Sequence, residues 1–178
     1  MELHAERYTN LPWPAYRFLP GRDPHPHAYP AGHSSRPPGE LPPPVEFKSA
    51  DQWRESVDYL FGCDLYNHGY WWEAHETWEG LWQLTDKSRV QGQFLQTLIQ
   101  VAACHLKLHM GKLAGVENLR QSAARHSTYV TEQIADGMLM GLAFKSWYGR
   151  VEEYYAHLLA SPDPQHILAI YPYIALRR

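Results

Sequence analysis

The sequence has only two cysteines, Cys63 and Cys104, among 178 residues. They form no CxxC spacing, so neither a disulfide framework nor a thiolate zinc site is expected. Both read as small buried apolar residues. No stretch reaches the roughly 18 consecutive apolar residues that a membrane helix requires, and Met1-Glu2-Leu3-His4-Ala5-Glu6-Arg7 lacks the apolar core of a secretory signal. The expectation is a cytoplasmic protein with no membrane partner. Basic residues are not in excess, with 16 Lys and Arg against 19 Asp and Glu and a formal net charge of -3. No basic run is long enough to follow a phosphate backbone, which argues against nucleic acid as a partner. GxGxxG, Walker and GxSxG motifs are missing, and so is the period-2 alternation of half-buried strands.

Proline is scarce over most of the chain and dense at one end. Of 14 prolines, 11 fall within residues 1–46, and the rest are Pro162, Pro164 and Pro172. Proline supports neither helix interior nor central strand, so residues 1–46 read as an extended, turn-rich arm. The arm also carries Tyr8, Trp13, Tyr16, Phe18 and Tyr29. Aromatic groups at this density favour an arm packed across the rest of the molecule over a free tail. Arg22, Asp23, His25, His27 and His33 lie together in it, either as turn and solvent residues or as groups that reach a cleft.

Residues 47–178 read as an all-α domain, a bundle of about five mostly antiparallel helices. Ser49-Ala50-Asp51-Gln52 fits a capping box and predicts a first helix with Trp53, Val57, Leu60, Phe61 and Leu65 inward, stopped at Gly69. A second helix is expected over about 70–85. Ser88-Arg89-Val90-Gln91 repeats the capping pattern before a long third helix that ends at Gly111. A fourth spans about 113–135 and a fifth about 144–160. The tail with Ile167, Leu168, Ile170, Tyr171 and Ile174 is apolar enough to pack on the bundle.

The second helix carries the chemistry. On a helical wheel, His75 and Glu79 fall among Trp71, Trp72, Trp78 and Trp82, with Glu76 at the edge of that face. A carboxylate among indoles is costly unless paired, which makes His75 the local partner of Glu79. On the third helix His105 and His109 share the apolar stripe. A hairpin of the two helices would let His75, Glu79, His105 and His109 meet inside, where bundles build carboxylate and imidazole metal sites.

Several functions remain compatible with these residues. One is a hydrogen-bonded His and Glu network that fixes helix register. A second is a metal-dependent hydrolase or oxidoreductase holding a divalent transition metal on His75, Glu79, His105 and His109, with Glu76 as general base. A metal-free cleft for a small molecule is a third. The Trp and Tyr content also suits an interaction or self-association module, hence a homo-oligomer. HExxH metalloprotease chemistry is disfavoured, because Glu79 stands where the second His would be.

The run Tyr66-Asn67-His68-Gly69-Tyr70-Trp71-Trp72-Glu73-Ala74-His75-Glu76-Thr77-Trp78-Glu79-Gly80-Leu81-Trp82 resembles the signature of domain of unknown function family 309. The similarity continues through Leu95-Gln96-Thr97-Leu98-Ile99-Gln100-Val101-Ala102-Ala103, His105, Gly111 and Gly115. It covers about residues 53–120, extends more weakly toward 160, and leaves the arm outside. The resemblance implies an all-α bundle and special roles for His75, Glu76, Glu79, Trp82 and Gln100. It supplies no activity, and the molecular function stays undetermined.

Overall fold

Two glycines punctuate the helices where the sequence places stops. Gly69 and Gly111 have φ of 78° and 67°, a left-handed conformation that costs a residue without Cβ little. At each, the chain closes with the paired bonds of a Schellman turn: Gly69 N donates to Tyr66 O and Tyr70 N to Leu65 O, and Gly111 N donates to Leu108 O and Lys112 N to Lys107 O. In the computed structural model, which describes residues 6–161 and 170–177, the first turn separates α1 (Val57–Asn67) from α2 (Trp71–Gln83) and the second separates α3 (Val90–His109) from α4 (Ala114–Gln133), and α5 (Phe144–Ala160) follows. Helix α3 packs most extensively on α4 and α2, and α2 on α1. The described residues form no named strand, only isolated bridges at Leu139, Leu142 and Leu176. None of their helices is long and apolar enough to cross a membrane.

The start of the first helix differs from expectation. Ala50–Glu55 is a 3-10 segment, Ser56 is extended at φ -80° and ψ 92°, and α1 begins only at Val57. The Ser49 hydroxyl meets the Gln52 side chain at 2.9 Å instead of a backbone amide. Ser88 likewise turns to Asp86 Oδ1, at 2.6 Å, and α3 has no side-chain cap. Both serines had a nearer side-chain acceptor, and local bonds of that kind compete with capping. The buried face of α1 is displaced as a result: Val57 is exposed, whereas Tyr59, Cys63, Leu65 and Tyr66 are buried.

The core is aromatic, with Tyr59, Tyr66, Trp78, Phe94, Phe144, Trp147 and Tyr155 fully enclosed. Helices α2 and α1 meet closely enough that a Cβ on Gly62 would fall within the Trp78 indole. The segment 170–177 lies against α1. Asn67 clamps it by donating from Nδ2 to Ile174 O and accepting from Ile174 N, both at 2.8 Å. Tyr171 and Ile174 are buried and Ile170 is exposed, while Ile167 and Leu168 lie outside the described residues.

The proline-rich segment runs over α1 and α2 as a series of turns. Its first anchor is Asp64, a fully buried carboxylate on α1 that accepts Tyr8 N at 2.7 Å, Thr9 N at 2.9 Å and Thr9 Oγ1 at 2.7 Å. Tyr8 also reaches the far end of the chain, donating from its hydroxyl to Ile174 O and accepting Leu176 N at 2.8 Å. Trp13 stacks on Tyr70 at 5.4 Å between centroids, and Arg7 lies over Trp13. Phe18 is buried, and Tyr29 is exposed.

Candidate functional site

Helix α2 buries Trp71, Ala74, Trp78 and Leu81. That set turns the buried face to one side of where the four indoles place it, because Trp72 and Trp82 are only half-buried. His75 and Glu79 consequently lie on the flank of the helix, with side chains 27% and 39% exposed, and not in an interior patch. His75 Nε2 is 3.5 Å from Glu79 Oε2, and His75 Nδ1 is 3.5 Å from Glu76 Oε1. One donor atom from each of His75, Glu76 and Glu79 can be chosen so that all three lie within 4.8 Å of one another, the one such group of His, Cys, Asp and Glu among the described residues.

His105 and His109 stand apart from this group, so the four-residue metal set is not assembled. His105 is fully buried among Tyr66, Trp71, Tyr154, Tyr155 and Tyr171. Its Nε2 lies 2.9 Å from the Tyr66 hydroxyl, and its Nδ1 is buried with no hydrogen-bond partner. Loss of hydration, followed by the neighbouring His109, pushes its pKa down to about 3, so the ring is neutral. His109 packs on Trp71 with ring centroids 4.1 Å apart and faces the His105 carbonyl. Burial lowers its pKa as well. The physical reason for the separation is the identity of the residue these imidazoles meet: Trp71, a turn before His75, covers them and occupies the space the hairpin argument left open.

The other family-implied residues are dispersed. Trp82 is half-buried and carries the Lys87 ammonium 4.2 Å above its ring. Gln100 on α3 keeps a buried carbonyl oxygen without a partner, as does Gln96 one turn earlier. Cys63 and Cys104 are buried free thiols. Desolvation raises both, Cys104 to about 12, which makes them inert packing groups.

Sequence reasoning missed Glu73. Its wheel position is remote from the Trp cluster, yet it is only 5% exposed, because the arm covers it. Glu73 Oε1 accepts Phe18 N and lies 2.9 Å from His33 Nε2. Three arm histidines, His25, His27 and His33, surround Trp72 at 5.4 to 6.4 Å between centroids. His27 Nε2 comes within 3.8 Å of Glu76 Oε2. Of the arm's two readings, reach into a cleft describes His27 and His33, while Arg22 and Asp23 pair with each other at a turn. The only sequence signal for this was the joint presence of histidines and aromatics in a proline-rich segment.

None of the seven tryptophans is exposed, so an interaction face built on exposed indoles is not presented. No curated protein and no solved structure matches the chain. Residues 59–119, the helical segment that carries His75, Glu76 and Glu79, match the family model described as Domain of unknown function (DUF309).

Proposed function

We propose that the protein binds a divalent transition metal through His75, Glu76 and Glu79 and uses it in water-activating, hydrolytic chemistry. The observation that carries this reading is the convergence of one imidazole and two carboxylates from little more than one turn of α2. At 3.5 Å the His75 contacts are too long to be hydrogen bonds. They are close to the spacing of neighbouring ligands around an ion whose bonds are about 2.1 Å. One nitrogen and two oxygens suit manganese, iron or zinc better than a soft-ligand metal. Three protein donors would leave coordination positions open, the arrangement of catalytic rather than structural sites. Glu76 then becomes a donor instead of a free general base, with His27 Nε2 3.8 Å from its other oxygen. A cytoplasmic setting belongs to the same proposal, since Cys63 and Cys104 are unpaired thiols.

Elemental analysis of purified, tag-free protein tests it, before and after reconstitution with manganese, iron or zinc. The expected result is near-stoichiometric metal in the wild type and in His109→Gln, and loss of metal in His75→Ala and Glu79→Ala. Metal-free wild type after reconstitution would overturn the reading and leave the three residues as a polar surface network.

A further inference from the structure

Residues 42–45 bring the end of the arm beside the flank of α2 that carries Glu76 and Glu79. The approach is close at Gly80, where an added Cβ would stand 3.3 Å from Val45 Cγ2. Between arm and helix lies a groove of about 600 Å³, with residues 42–45 as one wall and Glu76, Glu79, Gly80, Gln83 and Leu84 as the other. Small-molecule sites fall in the range of about 300–1,000 Å³.

The chemistry of the walls limits what can occupy the groove. Its lining holds no Lys, Arg or His, and Pro42, Pro43 and Pro44 have no backbone N–H to offer an anion. A divalent ion on Glu76 and Glu79 is balanced by their two carboxylates and leaves no surplus positive charge. A phosphate or a second carboxylate therefore gains nothing from the walls. Val45 and Leu84 are exposed and present apolar surface. Gln83 is exposed too, and its side-chain amide forms no hydrogen bond with the described residues. It follows Glu79 by four positions, so the two stand on one face of α2. A carboxamide matches Gln83 with one donor and one acceptor. We propose that this groove binds an uncharged carboxamide with a short apolar group, its amide paired with Gln83 and its apolar group against Val45 and Leu84. Naming such an amide as the substrate of the α2 site rests on the metal reading, whereas its binding in the groove does not. One wall comes from the arm, outside the matched residues 59–119, so the selection is made in part by residues particular to this chain's arm.

N-acetyl-leucinamide titrated into the metal-free, 15N-labelled full chain is the test, with the Gly80 amide and the Gln83 side-chain amide as reporters. N-acetyl-leucinate and 3-methyl-1-butanol are the controls for added charge and for a missing amide. A ligand of this size reaches about millimolar affinity. The expected result is saturable shifts at both reporters with the amide and clearly weaker binding of either control. Gln83→Ala, read at Gly80, should bind the amide about fivefold more weakly, the loss of one hydrogen bond, and Val45→Ala should weaken it as well. No saturable shift, equal affinity for a control, or wild-type affinity in Gln83→Ala would overturn the proposal. Elemental analysis reads the metal independently. Amide binding by a chain that takes up no metal would support the groove and remove only its role as a substrate cleft, and metal uptake without amide binding would overturn the groove alone.

Discussion

The His33 Nε2 atom lies 2.9 Å from Glu73 Oε1, with both side chains buried to within a few per cent, across 40 residues of sequence. The pair joins an irregular segment to the first turn of α2, so it acts as a latch for the arm as well as a local bond.

Replacing Glu73 by Ala removes the acceptor that Phe18 N and His33 share. We expect about 3 kcal/mol of destabilisation, since two buried donors lose their partner together. Limited trypsin digestion should cut faster at Arg17 and Arg22, and urea unfolding gives the magnitude. Equal digestion rates in variant and wild type would mean the arm is held elsewhere.

Asp64 fixes the arm's beginning with three donated hydrogen bonds and no exposure. Asp64→Ala should cost about 3 kcal/mol, and Asp64→Asn less, because the amide keeps one acceptor oxygen. Denaturant midpoints of the two variants, compared at constant slope, check the ranking.

Gly62 is close-packed against an indole, and Gly62→Ala should destabilise by about 2 kcal/mol despite the better helix propensity of alanine. The companion Gly62→Ala/Trp78→Phe variant should recover part of that loss by opening space. If the double variant is no more stable than the additive sum, the clash is not the cause.

His105 sets a pH dependence with a definite sign. Its folded pKa, pushed down to about 3 by burial and then by His109, lies below the value near 6.5 of an unfolded histidine. Between those values the unfolded chain binds more protons, so stability is complete above about pH 6.5 and falls on acidification toward pH 3. The steepest slope from one such group is about 1.4 kcal/mol per pH unit. Burial lowers His109 and His126 in the same direction. His105→Leu should flatten the curve of unfolding free energy against pH from 4.5 to 6.5. A slope as steep as that of the wild type would assign the acid sensitivity to other groups.

What the sequence made legible follows from how local each signal is. Gly69 and Gly111 end helices through their own backbone freedom, and their positions were readable one residue at a time. The flank position of His75 depended on which indoles the fold covers, and four indoles on a wheel do not reveal that Trp72 faces the arm. Glu73 and Asp64 were invisible because each is buried by residues 40 or more positions away. A charged residue in a helix reads as solvated unless its distant donors are known. His105 was readable as inward-facing, but its separation from His75 rests on the volume of Trp71, a packing fact.

Tyr8 and Leu176 exchange a hydrogen bond across 168 positions. During synthesis the arm leaves the ribosome long before the partner of its Tyr8 hydroxyl is made. The α1 and α2 surfaces that bury Asp64 and Glu73 can form well before that, so the arm docks in two stages, the carboxylate anchors first and the Tyr8 closure only when residues 174–176 arrive. A chain that lacks residues 174–176 would therefore hold its carboxylate anchors in place with Tyr8 still unfastened.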